Sequence, residues 1–140
     1  MAEDQTFLLD THIWLWLMCG DDHLPSGIVS RLEHAASFGG LYVSSLSIWE
    51  IAALVEADRV RFSIPLKQWF EQALGTPGLN VAELDAAIAA ESVRLPGEFD
   101  GDAVDRVLIA TARVFGATLV TADRTLSDYA SDGITRVAAV

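Results

Sequence analysis

Short apolar runs alternate along this chain with longer segments in which apolar residues recur at helical spacing. The short runs lie at residues 7–9, 41–43, 79–81, 118–120 and 135–140, and helices are predicted at residues 11–19, 44–57, 66–74, 85–93, 103–115 and 124–130. A further helix is expected between Pro25 and Gly39, and residues 62–65 are predicted to be extended. Parallel strands need helical crossovers of this kind, so the alternation predicts an α/β fold on a parallel sheet.

The size and apolar content of the chain fit one domain. Of its 140 residues, 51% are hydrophobic, which is enough for a single well-buried domain spanning residues 1–140. The longest apolar run, residues 7–20, is interrupted by Asp10 and His12 and is shorter than the roughly 18 residues of a membrane span. A soluble protein is therefore predicted.

The single cysteine bears on the cellular compartment. Cys19 has no second cysteine to pair with in the chain, and its neighbours Leu17 and Met18 predict that it is buried. The first residues, which include Glu3 and Asp4, lack the basic segment of an export signal. Both observations favour the reducing cytoplasm.

The charge balance of the chain allows two interpretations. The formal net charge is −11, from 20 acidic and 9 basic residues, and this argues against a nucleic-acid partner because phosphate binding normally depends on Lys and Arg. Acidic excess also arises where carboxylates collect around divalent cations, and a bound cation reverses the local field that a phosphate meets. Composition alone leaves both interpretations open.

Four acidic residues occupy similar positions relative to the predicted strands. Asp10 and Asp123 follow the strands at residues 7–9 and 118–120, Glu50 lies in the first turns of the helix after the strand at 41–43, and Asp105 opens the helix at 103–115. Residues just past the carboxyl ends of parallel strands gather at one edge of the sheet, where ligands bind. We therefore expect these four carboxylates to converge.

Helix capping is a simpler explanation for each acid taken singly. Asp is a favoured N-cap residue, and a Ser followed three residues later by Glu forms a capping box. Asp10 and Asp123 fit the first pattern, the Ser47 and Glu50 pair fits the second, and the Asp102 and Asp105 pair also fits a cap. A cap contributes roughly 0.5–2 kcal/mol and needs no further purpose.

Taken together, the acids point to a metal site. Ser or Thr would cap as well without mutual repulsion, whereas converging carboxylates cost energy unless a cation lies among them. Mg²⁺ prefers hard oxygen ligands and needs only two or three carboxylates because it retains several waters. The sequence has no Cys or His cluster with zinc spacing. A carboxylate-bound Mg²⁺ or Mn²⁺ is therefore expected, able to activate water against a phosphodiester.

The chain resembles the PIN-domain nucleases and, among them, the VapC-type toxins of toxin–antitoxin pairs. The likeness covers nearly the whole chain in the family's order. It is carried by Leu8-Leu9-Asp10-Thr11-His12, by Val43-Ser44 and Ser47-Ile48-Trp49-Glu50-Ile51-Ala52, by Asp102 and Asp105 through Ala112, and by Leu119-Val120-Thr121-Ala122-Asp123.

The resemblance implies a three-layer α/β/α sandwich with a central, mostly parallel sheet of four to five strands. It also implies metal-dependent cleavage of single-stranded RNA regions, a homodimer, and inhibition by a cognate VapB-type antitoxin. By position, Asp10 and Asp105 match the principal metal ligands, Glu50 the acid that bridges to metal or water, and Asp123 the fourth acid. Thr121 matches the accompanying hydroxyl.

The chain departs from the subgroup pattern before Asp105. A His-Arg-Asp-Pro-Phe-Asp type of run is common there, and Phe99-Asp100-Gly101-Asp102-Ala103-Val104 stands in its place. Asp102 is therefore open to two interpretations, as an acid behind the metal ligands or as an N-cap alone.

Histidine and tryptophan side chains have functional and structural interpretations. His12 follows Asp10 closely but lies on an apolar helix, so packing or capping is preferred and His12 is left out of the site. Trp14, Trp16, Trp49 and Trp69 lie at helical spacing in apolar settings, which favours packing over base stacking. Trp14 and Trp16 are also candidates for the dimer or antitoxin surface.

The few cations predict weak electrostatic attraction to RNA. Arg106 and Arg113 share one helix face, and Arg106 is expected to form a salt bridge with the acid cluster rather than to touch RNA. Arg59 and Arg61 could guide phosphate or simply be solvated. RNA affinity should therefore be modest.

Two other classes of function remain as alternatives. A non-catalytic binding module would receive a basic peptide in its acidic crevice, by charge complementarity. A haloacid dehalogenase type of hydrolase would use a similar sheet, but it wants a second aspartate two residues after the first, and His12 occupies that position after Asp10.

Overall fold

A computed structural model describes residues 5–140 of the chain, so Glu3 and Asp4, on which the export argument rested, lie outside the described residues. Five strands and seven helices alternate along it. They are β1 (Phe7–Leu9), α1 (Thr11–Cys19), α2 (Ser26–Ala36), β2 (Leu41–Ser44), α3 (Ser45–Glu56), α4 (Leu66–Leu74), β3 (Leu79–Ala82), α5 (Ala86–Ser92), α6 (Ala103–Phe115), β4 (Thr118–Thr121), α7 (Arg124–Ala130) and β5 (Val137–Ala139).

All five strands pair in parallel in one sheet, in the order β3-β2-β1-β4-β5. The first strand of the chain is therefore the central one. Leu9 is level with Val43 of β2 and with Val120 of β4, so these three strands end side by side. The predicted α/β class is confirmed, and the sheet, expected to be mostly parallel with four to five strands, has five strands that are all parallel in the described part of the chain.

Two layers of helices cover the sheet. Side chains alternate along β1, with Phe7 and Leu9 in a core that includes residues of α1, α2 and α4, and Leu8 in the core under α6. The second core also takes Ile88 of α5 and Leu126 of α7. A buried strand with helices on both faces reads as a continuous apolar run, which is what the sequence shows at residues 7–9.

Three local expectations were wrong. Residues 62–65 form no strand: Ser63 and Ile64 make a bend before α4, and Pro65, although its backbone is extended, cannot supply a backbone donor to a sheet. Cys19 is exposed, because α1 ends there and Gly20 turns the chain at φ 65°. The terminal strand is shorter than predicted and pairs only with β4, at the edge of the sheet. Within residues 5–140, no helix is both long and apolar enough to cross a membrane.

Candidate active site at the carboxyl ends of the strands

Five acidic side chains line one cavity of 360 Å³ where β1, β2 and β4 end. They are Asp10, Glu50, Asp102, Asp105 and Asp123, and the cavity is completed by His12, Trp16 and Ala122. The four acids that the sequence predicted to converge therefore line a common cavity. Asp102, whose role the sequence left open, lines it with them. Their convergence follows from the topology, because three parallel strands deliver their carboxyl ends to one edge.

Asp10 is held by two hydrogen bonds in the centre of this edge. Its Oδ1 accepts from the backbone N–H of Thr11 at 2.7 Å, which makes Asp10 the N-cap of α1. Its Oδ2 accepts from the Thr121 hydroxyl at 2.7 Å, across 111 residues of sequence. Burial nevertheless raises the pKa of Asp10, because the loss of hydration disfavours the charged carboxylate by more than these two hydrogen bonds favour it.

Thr121 also positions Asp123. The Thr121 side chain is fully buried at the end of β4, and its Oγ1 accepts from the backbone N–H of Asp123 at 3.0 Å. Asp123 in turn caps α7, where its Oδ1 accepts from the N–H of Leu126 at 3.2 Å. One hydroxyl therefore contacts both acids that follow the two adjacent central strands, Asp10 through its side chain and Asp123 through its backbone.

Asp105 lies in the first turn of α6, and its environment disfavours its negative charge. Its pKa is raised to about 6, first by burial and then by the neighbouring charges of Asp102, Asp10 and Asp123. The backbone N–H of Asp105 donates to Asp102 Oδ1 at 2.9 Å, so Asp102 is the N-cap of α6. A carboxylate facing three others is repelled by all of them, and a cation among them would relieve that repulsion.

Glu50 reaches the cavity from α3, and its helix is tied to the Asp10 helix. The Thr11 hydroxyl donates to the Ser47 hydroxyl at 2.9 Å, and both side chains are fully buried. Ser47 is one turn before Glu50, and Thr11 directly follows Asp10. The capping box expected for Ser47 and Glu50 is wrong, because Ser44 caps α3 by accepting from the N–H of Leu46 at 3.1 Å.

Capping and cavity lining are not alternatives in this structure. Asp10, Asp102 and Asp123 each accept a backbone N–H at a helix start, and each lines the cavity. For Asp102, which the sequence left between two interpretations, the structure shows both an N-cap and a place among the acids. The caps fix where each carboxylate stands before any ligand arrives.

Two residues of the cavity were missed from the sequence. His12 is exposed and Trp16 half-buried, and as positions i and i+4 of α1 they form one wall of the cavity. The rings meet edge to face at 6.4 Å between centroids. The available signal was that both residues follow Asp10 closely on the same helix. Because α1 is apolar on most sides, however, its sequence did not show which side faces solvent.

The other tryptophans divide between the core and the surface. Packing is confirmed for Trp14 and Trp69, whose rings meet at 5.6 Å between centroids and are 0% and 8% exposed. Trp14 is therefore wrong as a surface candidate. Trp49, expected to pack, is 64% exposed beside Glu50.

The arginines make structural contacts rather than contacts with the acids. Arg106 was expected to form a salt bridge with the cluster, but its guanidinium donates to the backbone carbonyl oxygens of Phe99 at 2.6 Å and Ser92 at 3.4 Å. Arg113 pairs with Glu91 at 2.7 Å. Arg61 pairs with Asp58 on the surface, again away from the cavity.

The donor chemistry of the cavity fits a hard divalent cation. All five acids offer carboxylate oxygens, the ligands that Mg²⁺ and Mn²⁺ prefer, and burial with mutual repulsion already raises the pKa of Asp10 and Asp105. Among the described residues, no three acidic, histidine or cysteine side chains stand close enough together to enclose an ion as they are placed.

Comparison with known proteins places the chain in a family. The PIN domain model matches residues 7–132. Ribonuclease VapC22 of Mycobacterium tuberculosis is 34% identical over 124 residues, which cover 89% of this chain and 92% of that protein.

Solved structures share the fold at low identity. A chain of VapBC2 from Rickettsia felis, bound to a DNA fragment from its promoter, superposes with a TM-score of 0.69 at 16% identity, covering 96% of this chain and 98% of that one. DNA-bound VapBC from Salmonella typhimurium gives a TM-score of 0.67 at 18% identity, with the same coverage of 96% and 98%. The family match over residues 7–132 and the relative at 34% identity agree. The chain belongs to the PIN domain family, in its VapC-type branch.

Proposed function

We propose that this chain is a metal-dependent endoribonuclease toxin, neutralised by a cognate antitoxin, and that residues 1–140 form a single PIN domain. The observation that carries the proposal is the shared cavity of Asp10, Glu50, Asp105 and Asp123, in which the pKa of Asp105 is raised to about 6 by burial and by three neighbouring acids. Paired carboxylates with perturbed pKa values at the carboxyl ends of parallel strands are typical of a catalytic site. Cleavage of RNA is supported by the relative named Ribonuclease VapC22.

We assign the metal to Asp10 and Asp105, with Glu50 and Asp123 in support. These residues would hold Mg²⁺ or Mn²⁺, which would supply Lewis-acid chemistry for activating water and for neutralising charge on a phosphate. The Thr121 hydroxyl and the Thr11 N–H hold both oxygens of Asp10, so this carboxylate keeps one orientation. Asp105 must be deprotonated to bind a cation, and the cation itself favours that form.

Glu50 is the proposed acceptor for the proton of the attacking water. It lies on α3, lines the same cavity as the acids that follow the strands, and is half-buried. The water oxygen attacks phosphorus in line, the bond from phosphorus to the leaving oxygen breaks, and the leaving oxygen takes a proton from solvent. No covalent bond to the protein forms. A proton acceptor must be within hydrogen-bond reach of the attacking water, and a carboxylate carried by a different helix from Asp10 and Asp105 can take this role in the shared cavity.

The charge of the chain limits how RNA binds. With a net charge of −11, the protein gains little from phosphate neutralisation, and Arg106, Arg113 and Arg61 are occupied by contacts within the protein. Affinity should therefore be modest and should fall only weakly with salt, in contrast to proteins that make many phosphate contacts. An RNA substrate and a lone thiol at Cys19 fit a cytoplasmic location.

A homodimer and an antitoxin are the proposed partners. Trp49 is a large apolar side chain that is 64% exposed, and aromatic residues are enriched in protein interfaces, so we propose it as a contact with a second copy. The antitoxin is supported by structural neighbours that are themselves toxin–antitoxin complexes, one of them from Klebsiella pneumoniae. A basic antitoxin segment would complement the acidic cavity.

The test is cleavage of a fluorescent single-stranded RNA with Mn²⁺, with Mg²⁺ and with EDTA. We expect cleavage with either ion, none with EDTA, and none for Asp10→Asn or Asp105→Asn, while Asp132→Asn, an exposed acid beyond α7, keeps activity. The unfolding temperature should also rise with millimolar Mn²⁺ in the native chain, because a ligand that binds only the folded state stabilises it. Metal-dependent cleavage by folded Asp105→Asn would refute the assignment. If cleavage and stabilisation by Mn²⁺ were both absent, the chain would be a binding module.

A further inference from the structure

A second cavity, of 420 Å³, adjoins the carboxylate cavity, and Trp16 lines both of them. We call it the Trp16 cavity. It lies between the end of α1 and α2, and its volume is within the roughly 300–1,000 Å³ of small-ligand pockets. Its lining consists of Trp16, Leu17, Gly20, Asp21, Asp22, Leu24, Ser26, Val29, Ser30 and Glu33.

The Trp16 ring is held in place before any ligand binds. The His23 imidazole stacks on it at 4.9 Å between centroids and 19° between planes, supporting the indole from outside the two cavities. Asp21 Oδ1 in turn accepts from the backbone N–H of His23 at 2.8 Å and contacts its Nδ1 at 2.5 Å. A ring that is already oriented loses little conformational freedom when another planar ring stacks on it.

The side chains that line the Trp16 cavity would attract the base of a nucleotide and repel its phosphate. Leu17, Leu24 and Val29 supply apolar surface, while Asp21, Asp22 and Glu33 supply carboxylates with no lysine or arginine among the lining residues described. Phosphate is repelled by such a rim, but a base edge that carries N–H donors is attracted to it. The cavity is therefore suited to a base and not to the backbone that carries it.

We propose that the Trp16 cavity binds the nucleobase next to the scissile phosphate and favours guanine over uracil. The inference rests on the proposed ribonuclease function, which puts the phosphate at the carboxylates, on the other side of Trp16. Guanine presents two adjacent donors, N1–H and the N2 amino group, which match the two oxygens of a carboxylate. Uracil presents one N–H between two carbonyl oxygens, and those oxygens are repelled by the acids.

A nucleobase fits these observations better than a basic peptide. A basic peptide would also be attracted by the acids, and its arginine could stack on the indole. The nucleobase is favoured because Trp16 lines both cavities, so a scissile phosphate at the carboxylates places the adjoining base beside this ring. Stacking on tryptophan is worth about 1–3 kcal/mol per base and occurs with unpaired bases only. The same geometry thus accounts for selection of single-stranded RNA, since a base within a duplex cannot enter the cavity.

The first test observes the Trp16 indole N–H by ¹H–¹⁵N NMR in the full chain, with the resonance assigned by its loss in Trp16→Phe. Guanosine 5′-monophosphate and uridine 5′-monophosphate are the probes. We expect guanosine monophosphate to shift the Trp16 resonance at about tenfold lower concentration than uridine monophosphate. The Trp69 indole, packed in the core against Trp14 and Phe62, is the internal control and should not move.

The second test uses cleavage of single-stranded RNAs that differ in one base beside the cut. Trp16→Ala should lower kcat/KM about tenfold, and Glu33→Gln should reduce the preference for guanine over uracil about fivefold. Glu56→Gln changes an exposed acid at the end of α3 and should leave both values unchanged. Glu33 is also exposed, so its variant reports on base choice even if Trp16→Ala fails to fold.

The outcomes separate this proposal from the function on which it rests. If RNA is cleaved but neither nucleotide moves the Trp16 resonance, or both move it equally, the base site is refuted and the ribonuclease stands. If an arginine-rich peptide moves the resonance and the nucleotides do not, a peptide is the occupant and the proposal is again refuted. If guanosine monophosphate moves it and no RNA is cleaved, the cavity binds a base and the ribonuclease function fails.

Discussion

The Thr121 hydroxyl donates to Asp10 Oδ2 at 2.7 Å and accepts from the backbone N–H of Asp123 at 3.0 Å. A single buried oxygen thus joins the acids that follow β1 and β4. The bond to Asp10 stabilises the carboxylate in its charged form, and the bond from Asp123 fixes the start of α7. Thr121 acts through these two acids and does not itself need to touch metal or substrate.

Thr121→Val should therefore weaken metal binding while keeping the fold. Valine has nearly the same shape but neither donates nor accepts, so Asp10 loses its orienting partner and the Asp123 N–H is left unpaired. Loss of such a supporting contact typically lowers metal affinity or activity about 10–100-fold. Calorimetric titration with Mn²⁺ measures the affinity. Thr121→Ser, which keeps the hydroxyl, should bind nearly as the native chain does, and equal affinity in all three proteins would contradict the assignment.

Asp105→Asn should abolish metal-dependent cleavage and at the same time stabilise the metal-free protein. At neutral pH the substitution removes a charge that burial and three neighbouring acids disfavour. We expect the unfolding free energy to increase by about 1 kcal/mol, less than the pKa shift alone implies because solvent screens the partly exposed side chain. This corresponds to a rise of about 3 °C in the unfolding temperature, measured with EDTA present. The same measurement on Asp132→Asn should show no such rise. If metal-free Asp105→Asn were less stable than the native chain, the neighbouring acids would not disfavour the charge of Asp105.

The stability of the metal-free protein should increase as pH falls from 7 towards 4, through the contribution of Asp105. Its pKa is about 6 in the folded chain and is lower when unfolded, so the folded state binds more protons in this window and gains relative to the unfolded state. The difference in unfolding free energy between the native chain and Asp105→Asn isolates this group. That difference should shrink on acidification, and Mn²⁺ affinity should fall below about pH 6. A difference independent of pH would show that folding does not raise the pKa of Asp105.

Thr11→Val should loosen the link between the Asp10 and Glu50 helices. The Thr11 and Ser47 hydroxyls meet at 2.9 Å in a fully buried position, and valine leaves the Ser47 oxygen without its donor. We expect a loss of about 1–3 kcal/mol in unfolding free energy, together with reduced kcat. Urea denaturation and single-turnover cleavage measure the two effects. Thr11→Ser should restore kcat, whereas an unchanged kcat in Thr11→Val would show that the link does not position Glu50.

The acids were predictable because they are local to strand ends, but the contacts that hold them were not. Asp10 and Asp123 follow runs of buried residues, and parallel strands bring such positions together whatever the side chains are. Ser47 looked like half of a capping box, because the sequence does not show that a hydroxyl 36 residues away meets it. Capping patterns are local, whereas this hydrogen bond exists only after the helices pack.

The surface and core sides of α1 were also beyond sequence reasoning. The helix carries Trp14 in the core, Trp16 at the cavities and Cys19 exposed at its end, yet nearly all its residues are apolar. A helix that is apolar on all sides gives no periodicity from which to choose a buried side. Acidic residues lie near Arg106 in the sequence, so a salt bridge was the expected contact. In the structure, the loop before α6 instead places the Phe99 carbonyl oxygen within hydrogen-bond distance of the Arg106 guanidinium.

The position of β1 at the centre of the sheet has a consequence for synthesis of the protein. The strand that carries Asp10 is made first, but its partner β4 comes more than a hundred residues later, and Thr121 and Asp123 come with it. Pairings so distant in sequence form late and slowly, and chains emerge from the ribosome at only about 5–20 residues per second. The carboxylate centre therefore cannot be assembled until β4 and the residues that follow it have been added to the growing chain.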